Sequence, residues 1–331
     1  MQPALITLKI LFTSAGRRVE LLECFRKSAT ELQLELVTYA VDLNPDMSSA
    51  CQKADNAFVV PRCTHPDYIR DILAICERQR INLVIPTIDP ELEILSAAAD
   101  QFKEIGTRIA VSSPEIVRMA RNKAETATFL AAHGIPTPRT SSIEELLSCE
   151  QVWRWPVILK PAGGSCSVGL HIAENAEAVK KLNIDRQSYI AQEFWRGKEY
   201  TVNVFFDSKG EMRSAVPHWR SETRGGEVSK GITQRVPVLM EIAEKLGKAL
   251  NGKSYGALCF QAIIDDSGKA AVFEINARFG GGYPLTDRAG GAFAKWLLEE
   301  ASGLPCSADN HWKEGVIMLR YDAAVFLNSP I

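Results

Sequence analysis

The chain has 331 residues, 46% of them hydrophobic and 24% charged, with a formal net charge of −2. That length suits two or three compact units of roughly 100–200 residues each. The charge balance excludes a general nucleic-acid or membrane-surface binder, which carries a basic excess, and no apolar run approaches the roughly 18 residues that span a bilayer.

In the opening MQPALITLKILFTSAGRR the positive charges follow the apolar stretch, the reverse of a secretory signal, so it reads as a first β-strand. Eight cysteines, at 24, 51, 63, 76, 149, 166, 259 and 306, include no CxxC pair, and five histidines form no HExxH. Small buried thiols in a reducing, cytoplasmic setting are expected in place of a zinc site or a disulfide framework.

Residues 1–110 alternate apolar runs (Leu8–Thr13, Leu34–Val41, Ala57–Val60, Leu83–Thr87, Arg108–Val111) with helical patterns over Arg17–Ser28, Pro66–Gln79 and Glu91–Lys103. Such alternation predicts a parallel sheet covered by helices, a Rossmann-like α/β domain. Ligands bind beyond the carboxyl ends of such strands. The polar residues there are Ser14 to Arg17, Asp42 to Asn44, and Thr87 to Asp89.

Residues 111–190 predict a small α+β unit: helices over about 114–133 and 142–150, a Gly/Pro cluster His133 to Pro138, the strand Val157-Ile158-Leu159-Lys160, and a glycine-rich loop. Residues 191–331 read as mostly antiparallel strands with helices packed on them. Ser208-Lys209-Gly210 and Asp265 to Lys269 mark hairpins.

The sharpest motif is the second hairpin, Ala257 to Gln261 with Val272-Phe273-Glu274-Ile275-Asn276-Ala277-Arg278. Side chains alternate along a strand, so Glu274, Asn276 and, if the strand persists, Arg278 share a face. A turn centred on Ser267 and Gly268 sets Gln261 opposite Glu274, roughly 5 Å between their Cβ atoms. Gln261, Glu274 and Asn276 then form an oxygen-donor patch for a hard cation, Mg²⁺ above all, with Arg278 beside it to grip a phosphoryl oxygen. The bland alternative is a solvated polar face.

Lys160 ends an apolar strand and leads into Pro161-Ala162-Gly163-Gly164-Ser165-Cys166-Ser167-Val168-Gly169, a loop whose backbone amides can approach phosphates. It has GxxxxG spacing but is followed by Leu170-His171, so it is no P-loop. A mobile surface turn is the alternative. Gln192-Glu193-Phe194-Trp195, with Glu199 beyond, offers backbone groups and two carboxylates where one strand ends and another begins, suited to a purine edge and ribose hydroxyls. The segment 221–230, rich in charge and glycine, reads equally as a substrate loop or a disordered surface loop. Ser14 to Arg17 is no GxGxxG, and His218 reads more readily as a buried strand residue than as a base.

In this order the motifs resemble the ATP-grasp superfamily, in particular a single ATP-grasp unit of the carbamoyl-phosphate synthase large subunit. The resemblance spans nearly the whole chain and is most specific at Glu274-Ile275-Asn276-Ala277-Arg278 with Gln261. It implies an ATP-grasp fold preceded by a Rossmann-like domain, in three parts: 1–110, 111–190 with the mobile lid, and 191–331 with the metal and nucleotide site. It implies metal ligation by Gln261, Glu274 and Asn276, with Mg²⁺ or Mn²⁺. It gives Arg278 and Lys160 catalytic roles. It implies ATP binding by Lys123, Lys160, Gly163, Gly164, Ser165, Val168, Gln192, Glu193, Phe194, Trp195 and Glu199. The implied activity is ATP-dependent joining of a small carboxylate to an amine through an acyl phosphate, with no nucleic-acid or membrane partner. The chain is far shorter than that synthase subunit, and Asn-Ala-Arg-Phe-Gly-Gly-Gly replaces its usual Asn-Pro-Arg. A homodimer, an ATP-binding subunit of a larger complex, and a non-catalytic metabolite-binding protein stay open.

Overall fold

The computed structural model describes residues 6–164 and 169–327. The chain begins as a five-stranded sheet of β1 (Thr7–Thr13), β2 (Glu35–Asp42), β3 (Asn56–Val59), β4 (Leu83–Pro86) and β5 (Arg108–Ile109). The strands run parallel in the order β3-β2-β1-β4-β5. Leu8, Ile10, Leu11 and Phe12 are all buried. A nearly unbroken apolar strand of this kind belongs in a sheet covered on both faces. The connections reverse direction between neighbours β1 and β4, which opens a crevice at their carboxyl ends.

Two expected helices are each broken in two. The pattern at 91–103 divides into Asp89–Ala97 and Ala99–Glu104. The Glu91 carboxylate accepts from the Thr87 and Ile88 amides at 2.7 and 3.2 Å, which pulls the helix start back to Asp89. The pattern at 114–133 divides at Asn122, whose Oδ1 accepts from the Ala124 and Glu125 amides at 3.0 and 3.4 Å. A side-chain cap of this kind starts a new helix, Lys123–Ala132.

The small sheet contains β6 (Thr140–Ser142), β7 (Val157–Pro161), β8 (His171–Ala173) and β9 (Tyr189–Glu193) in the order β6-β9-β7-β8. It encloses a core of its own, including Ile143, Trp153, Val157 and Leu159.

The large sheet contains β10 (Lys198–Phe206), β11 (Met212–Arg224), β12 (Glu227–Thr233), β13 (Gly256–Ile264), β14 (Ala270–Asn276) and β15 (Ile317–Leu319). It is antiparallel in the order β14-β13-β10-β11-β12-β15. Neither loop reading of segment 221–230 holds. β11 and β12 continue through it to a two-residue turn, Gly225-Gly226, with φ of 59° and 80°. Positive φ at both positions matches the twist of a tight hairpin, and glycine supplies it without strain. One core cluster joins Leu11, Val84 and Ile116 to Val202, Phe260 and Val272. That shared core sets the ends of β1 and β4 against β13 and β14. Among the described residues no helix is long and apolar enough to cross a membrane.

Candidate active site

A β-bulge makes the central patch. Next to the turn, β13 and β14 pair as Ile264↔Ala270, Ile263↔Ala271 and Ala262↔Val272, and then shift so that Gln261 faces Glu274 and Cys259 faces Asn276. Phe273 is the extra residue. Val272 and Ile275 both belong to the apolar core, three positions apart. Strict alternation from Val272 would bury Glu274 in that core; the bulge reverses the parity and turns Phe273, Glu274 and Asn276 outward. The expected pairing is therefore present, but the bulge produces it and not the turn. β14 ends at Asn276, so Arg278 lies beyond the strand. Its amide donates to the Asn276 carbonyl at 2.9 Å, and Nη2 lies 3.4 Å from Asn276 Oδ1.

Lys160 is the next-to-last residue of β7, near this patch. Its Nζ donates to Gln192 Oε1 at 2.8 Å and lies 5.5 Å from the Phe273 ring centre. Gln192 in turn donates to Thr140 Oγ1 at 2.8 Å, so it links the lysine to β6. Burial pushes the Lys160 ammonium down to about 8; Glu274 pulls against that and Lys123 adds to it. Because Asn122 caps the helix, Lys123 is its first residue. Its amide donates to the Ala162 carbonyl at 2.9 Å and its Nζ to the Gly164 carbonyl at 2.7 Å, so one residue grips both sides of Gly163. Burial lowers its pKa as well, again opposed by Glu274. Ser165 and Val168 lie outside the described residues.

Glu274 collects these charges. Burial raises its pKa, while Lys123, Lys160 and Arg278 pull it down. The amide nitrogen of its neighbour Gln261 donates to Glu274 Oε2 at 3.3 Å, and the amide oxygen accepts from Arg220 Nη1 at 3.1 Å. Oxygen donors alone, one carboxylate and a site flanked by cations that attract phosphate fit a hard divalent ion held partly by substrate.

Glu193 to Trp195 occupy the connection from β9 to β10, and the Glu193 amide donates to the Arg139 carbonyl at 2.9 Å. Glu199 lies on β10 at 3.5 Å from Arg220 Nε. Arg220 also donates to the Gly226 carbonyl at 2.8 Å and to Thr201 Oγ1 at 3.3 Å. Sequence reasoning missed Arg220. Its signal was its parity with His218 on β11, which turns it onto the same face as Glu199, Gln261 and Glu274. Asp89 was noticed only as part of a strand-end pocket. It holds Arg278 Nη2 at 2.6 Å, with the side chains 12% and 14% exposed. His218 is fully buried and held neutral, its pKa lowered by burial and by Arg220 to about 3.

Residues 120–282 match the family described as ATP-grasp domain, and residues 10–110 match the one described as PylC-like, N-terminal domain. The chain carries an ATP-grasp domain. The phosphoribosylamine–glycine ligase of Pasteurella multocida (strain Pm70) is 26% identical over 242 residues, covering 64% of this chain and 56% of that protein. The phosphoribosylamine–glycine ligase of Escherichia coli O6:H1 is 24% identical over 283 residues, covering 75% of this chain and 66% of the relative. This chain thus spans under two thirds of the length of the curated relatives it matches.

Among solved structures, the biotin carboxylase domain of Hydrogenobacter thermophilus 2-oxoglutarate carboxylase, in complex with MgADP, ADP and bicarbonate, superposes with a TM-score of 0.72. The two are 19% identical, and the match covers 91% of this chain and 71% of that one. N5-carboxyaminoimidazole ribonucleotide synthetase from Thermotoga maritima gives a TM-score of 0.66 at 19% identity, over 91% of this chain and 77% of that one. The L-amino acid ligase from Bacillus licheniformis gives 0.66 at 17%, over 89% and 74%. At these identities the likeness is one of fold: an ATP-grasp domain behind a Rossmann-like parallel sheet.

Proposed function

We propose that this chain is an ATP-dependent carboxylate–amine ligase working through an acyl phosphate. The observation that carries the reading is the convergence of Lys123, Lys160 and Arg278 on Glu274, on the face that also carries Gln261 and Asn276. Binding alone needs phosphate-attracting lysines. It does not need a buried carboxylate and a guanidinium aimed at the same point.

Lys123 and Lys160 hold ATP phosphates, and the amides of Gly163 and Gly164 add donors. Glu193, Phe194, Trp195 and Glu199 line the nucleoside end. A substrate carboxylate attacks the γ-phosphorus, the bond to the bridging oxygen breaks, and ADP leaves. Arg278 stabilises charge on the transferred phosphoryl group and on the acyl phosphate. An amine then adds to the acyl carbon, phosphate departs, and the amine's proton goes to solvent or to phosphate, leaving an amide. Mg²⁺, or Mn²⁺, bound by Gln261, Glu274 and Asn276 would supply charge neutralisation for the phosphates. In this reading residues 1–110 supply the substrate end, while 111–190 and 191–331 enclose the nucleotide. Kinship to the carbamoyl-phosphate synthase large subunit is retained only as this shared acyl-phosphate chemistry. The two curated relatives named above are phosphoribosylamine–glycine ligases.

The test is ADP release from Mg-ATP across a matrix of amino acids, small carboxylates and amines. Release that depends on one carboxylate–amine pair supports the ligase. Tight Mg-ATP binding with no release for any pair moves the reading to a subunit that needs a partner chain. Absence of Mg-ATP binding removes the nucleotide site altogether.

The depressed pKa of Lys160 gives a second expectation. Its ammonium is present below about pH 8 and lost above it. Affinity of the free protein for Mg-ADP should fall up to about tenfold per pH unit above that point, until the higher pKa of the nucleotide-bound lysine is reached. Lys160→Arg should abolish this basic limb. Calorimetric titrations between about pH 6.5 and pH 9.5 would reveal it, and an unchanged limb in the arginine variant would assign the titration to another group.

A further inference from the structure

Arg18 stands in the first turn after β1, at the crevice between β1 and β4. Its side chain is 20% exposed, yet both of its contacts are loose: Nη1 lies 3.7 Å from Glu227 Oε1 and Nη2 lies 3.4 Å from the Thr87 carbonyl. Glu227 is a shared partner, since its other oxygen accepts from Arg320 Nη1 at 3.0 Å. Arg320 spends its second nitrogen on the Gly281 carbonyl. The other acid of the crevice, Asp89, is committed to Arg278. Arg278 and Arg320 are thus each held by a carboxylate, Asp89 and Glu227, and Arg18 shares Glu227 with Arg320. Burial, and then Arg278, lower the pKa of Arg18; Arg320 adds to this, and Glu227 with Cys259 opposes it.

The backbone is cut to hold this arrangement. A Cβ on Gly281 would fall 2.6 Å from the Glu227 carboxyl carbon, and one on Gly282 would fall 2.8 Å from His218 Nε2. Gly281 therefore lets the Glu227 carboxylate close against the chain. That accounts for a glycine which the nucleotide chemistry does not require.

A loosely held, partly desolvated cation with positive neighbours is relieved by an anion. We infer that Arg18 seats a second anionic group, a carboxylate or a phosphate, on the carboxylate or amine substrate, apart from the group that reacts beside Arg278. Arg320 and Glu227 fix the wall behind it. The inference rests on the ligase reading and narrows its substrates to molecules carrying an extra negative charge at one end.

The experiment uses the full chain loaded with Mg-ADP and titrates succinate and inorganic phosphate, separately, into wild type, Arg18→Gln and Arg18→Lys. At least one anion should bind wild type and bind Arg18→Gln about tenfold or more weakly, the cost of one charge-assisted contact. Arg18→Lys should recover part of that loss, while Mg-ADP affinity stays unchanged in both variants. The probe that responds distinguishes carboxylate from phosphate. Equal anion affinity in wild type and Arg18→Gln overturns the inference. So does the absence of anion binding to a wild type that holds Mg-ADP. A wild type that fails to hold Mg-ADP overturns the ligase reading instead. If Arg18→Gln does not fold, as judged by lost Mg-ADP binding, the comparison passes to Arg18→Lys, whose anion affinity must still fall.

Discussion

Glu274→Gln is expected to lower turnover about 10³-fold, roughly 4 kcal/mol of transition-state stabilisation, while making the ligand-free protein more stable. The two effects have one origin. Glu274 is the lone carboxylate of the bulged hairpin patch, and its pKa is raised because burial outweighs the attraction of Lys123, Lys160 and Arg278. An acid whose folded pKa exceeds its unfolded one favours folding in its protonated form. That contribution is present at low pH and is lost as pH rises through the folded pKa. At neutral pH the ionised group therefore opposes folding, and glutamine removes the opposition at nearly constant shape. The cost appears only in function, where the carboxylate is needed among the phosphates. Thermal melts of the ligand-free variant should shift upward at pH 7 and converge with wild type in acid. ADP release should collapse. Turnover close to wild type would take Glu274 out of the chemistry, and a lower melting temperature would show its lysine contacts outweighing its burial.

The parallel sheet was legible because its strands are buried on both faces and read as plain apolar runs, Leu8 to Phe12 most clearly. Glu274, Asn276 and Gln261 were legible because a strand period of two is a strong local signal. The bulge at Phe273 was not, since a one-residue register shift leaves no mark on composition. Asn122 divides one expected helix through side-chain bonds that outweigh the continuous helical pattern around it, and Glu91 in the same way moves the start of another back to Asp89. The contact of Gln192 with Lys160 left no mark in the local sequence. The pairing of β9 with β7 turns its side chain toward Lys160.

What the sequence hid was mostly long-range pairing. Arg18 with Glu227 and Asp89 with Arg278 each join residues that only the packing of the two large sheets brings together, and Arg320 meets Glu227 through the pairing of β12 with β15. Segment 221–230 shows the same limit. Its charges and glycines looked like a loop, but the glycines make one tight turn and Glu227 becomes part of a pocket wall. Local patterns give the strands and the faces they present; which face meets which depends on contacts far apart in the chain.

Asp89→Ala should lower stability by about 3–5 kcal/mol, the usual consequence of leaving one member of a buried ion pair without its partner. Asp89 and Arg278 are 2.6 Å apart and barely solvated, so screening by water does little to soften the loss. Arg278 has a further carboxylate within reach, Glu274, whose attraction is a lesser cause of its raised pKa than Asp89. Without Asp89 the guanidinium should swing toward Glu274 and Asn276, occupying the place expected for a metal ion and phosphate. Turnover should then fall along with stability. The double variant Asp89→Leu/Arg278→Met separates the two effects. Removing both charges should restore most of the stability, because the desolvation cost of the pair disappears with it, yet it should restore no activity, because Arg278 itself is gone. Urea denaturation and ADP release on the two single variants and the double variant would decide the matter. Additive losses of stability would mean that the pair is uncoupled and that Asp89 does not hold Arg278 in place. A recovered fold with no recovered turnover would assign Asp89 to aiming the guanidinium, and Arg278 to the reacting phosphoryl group.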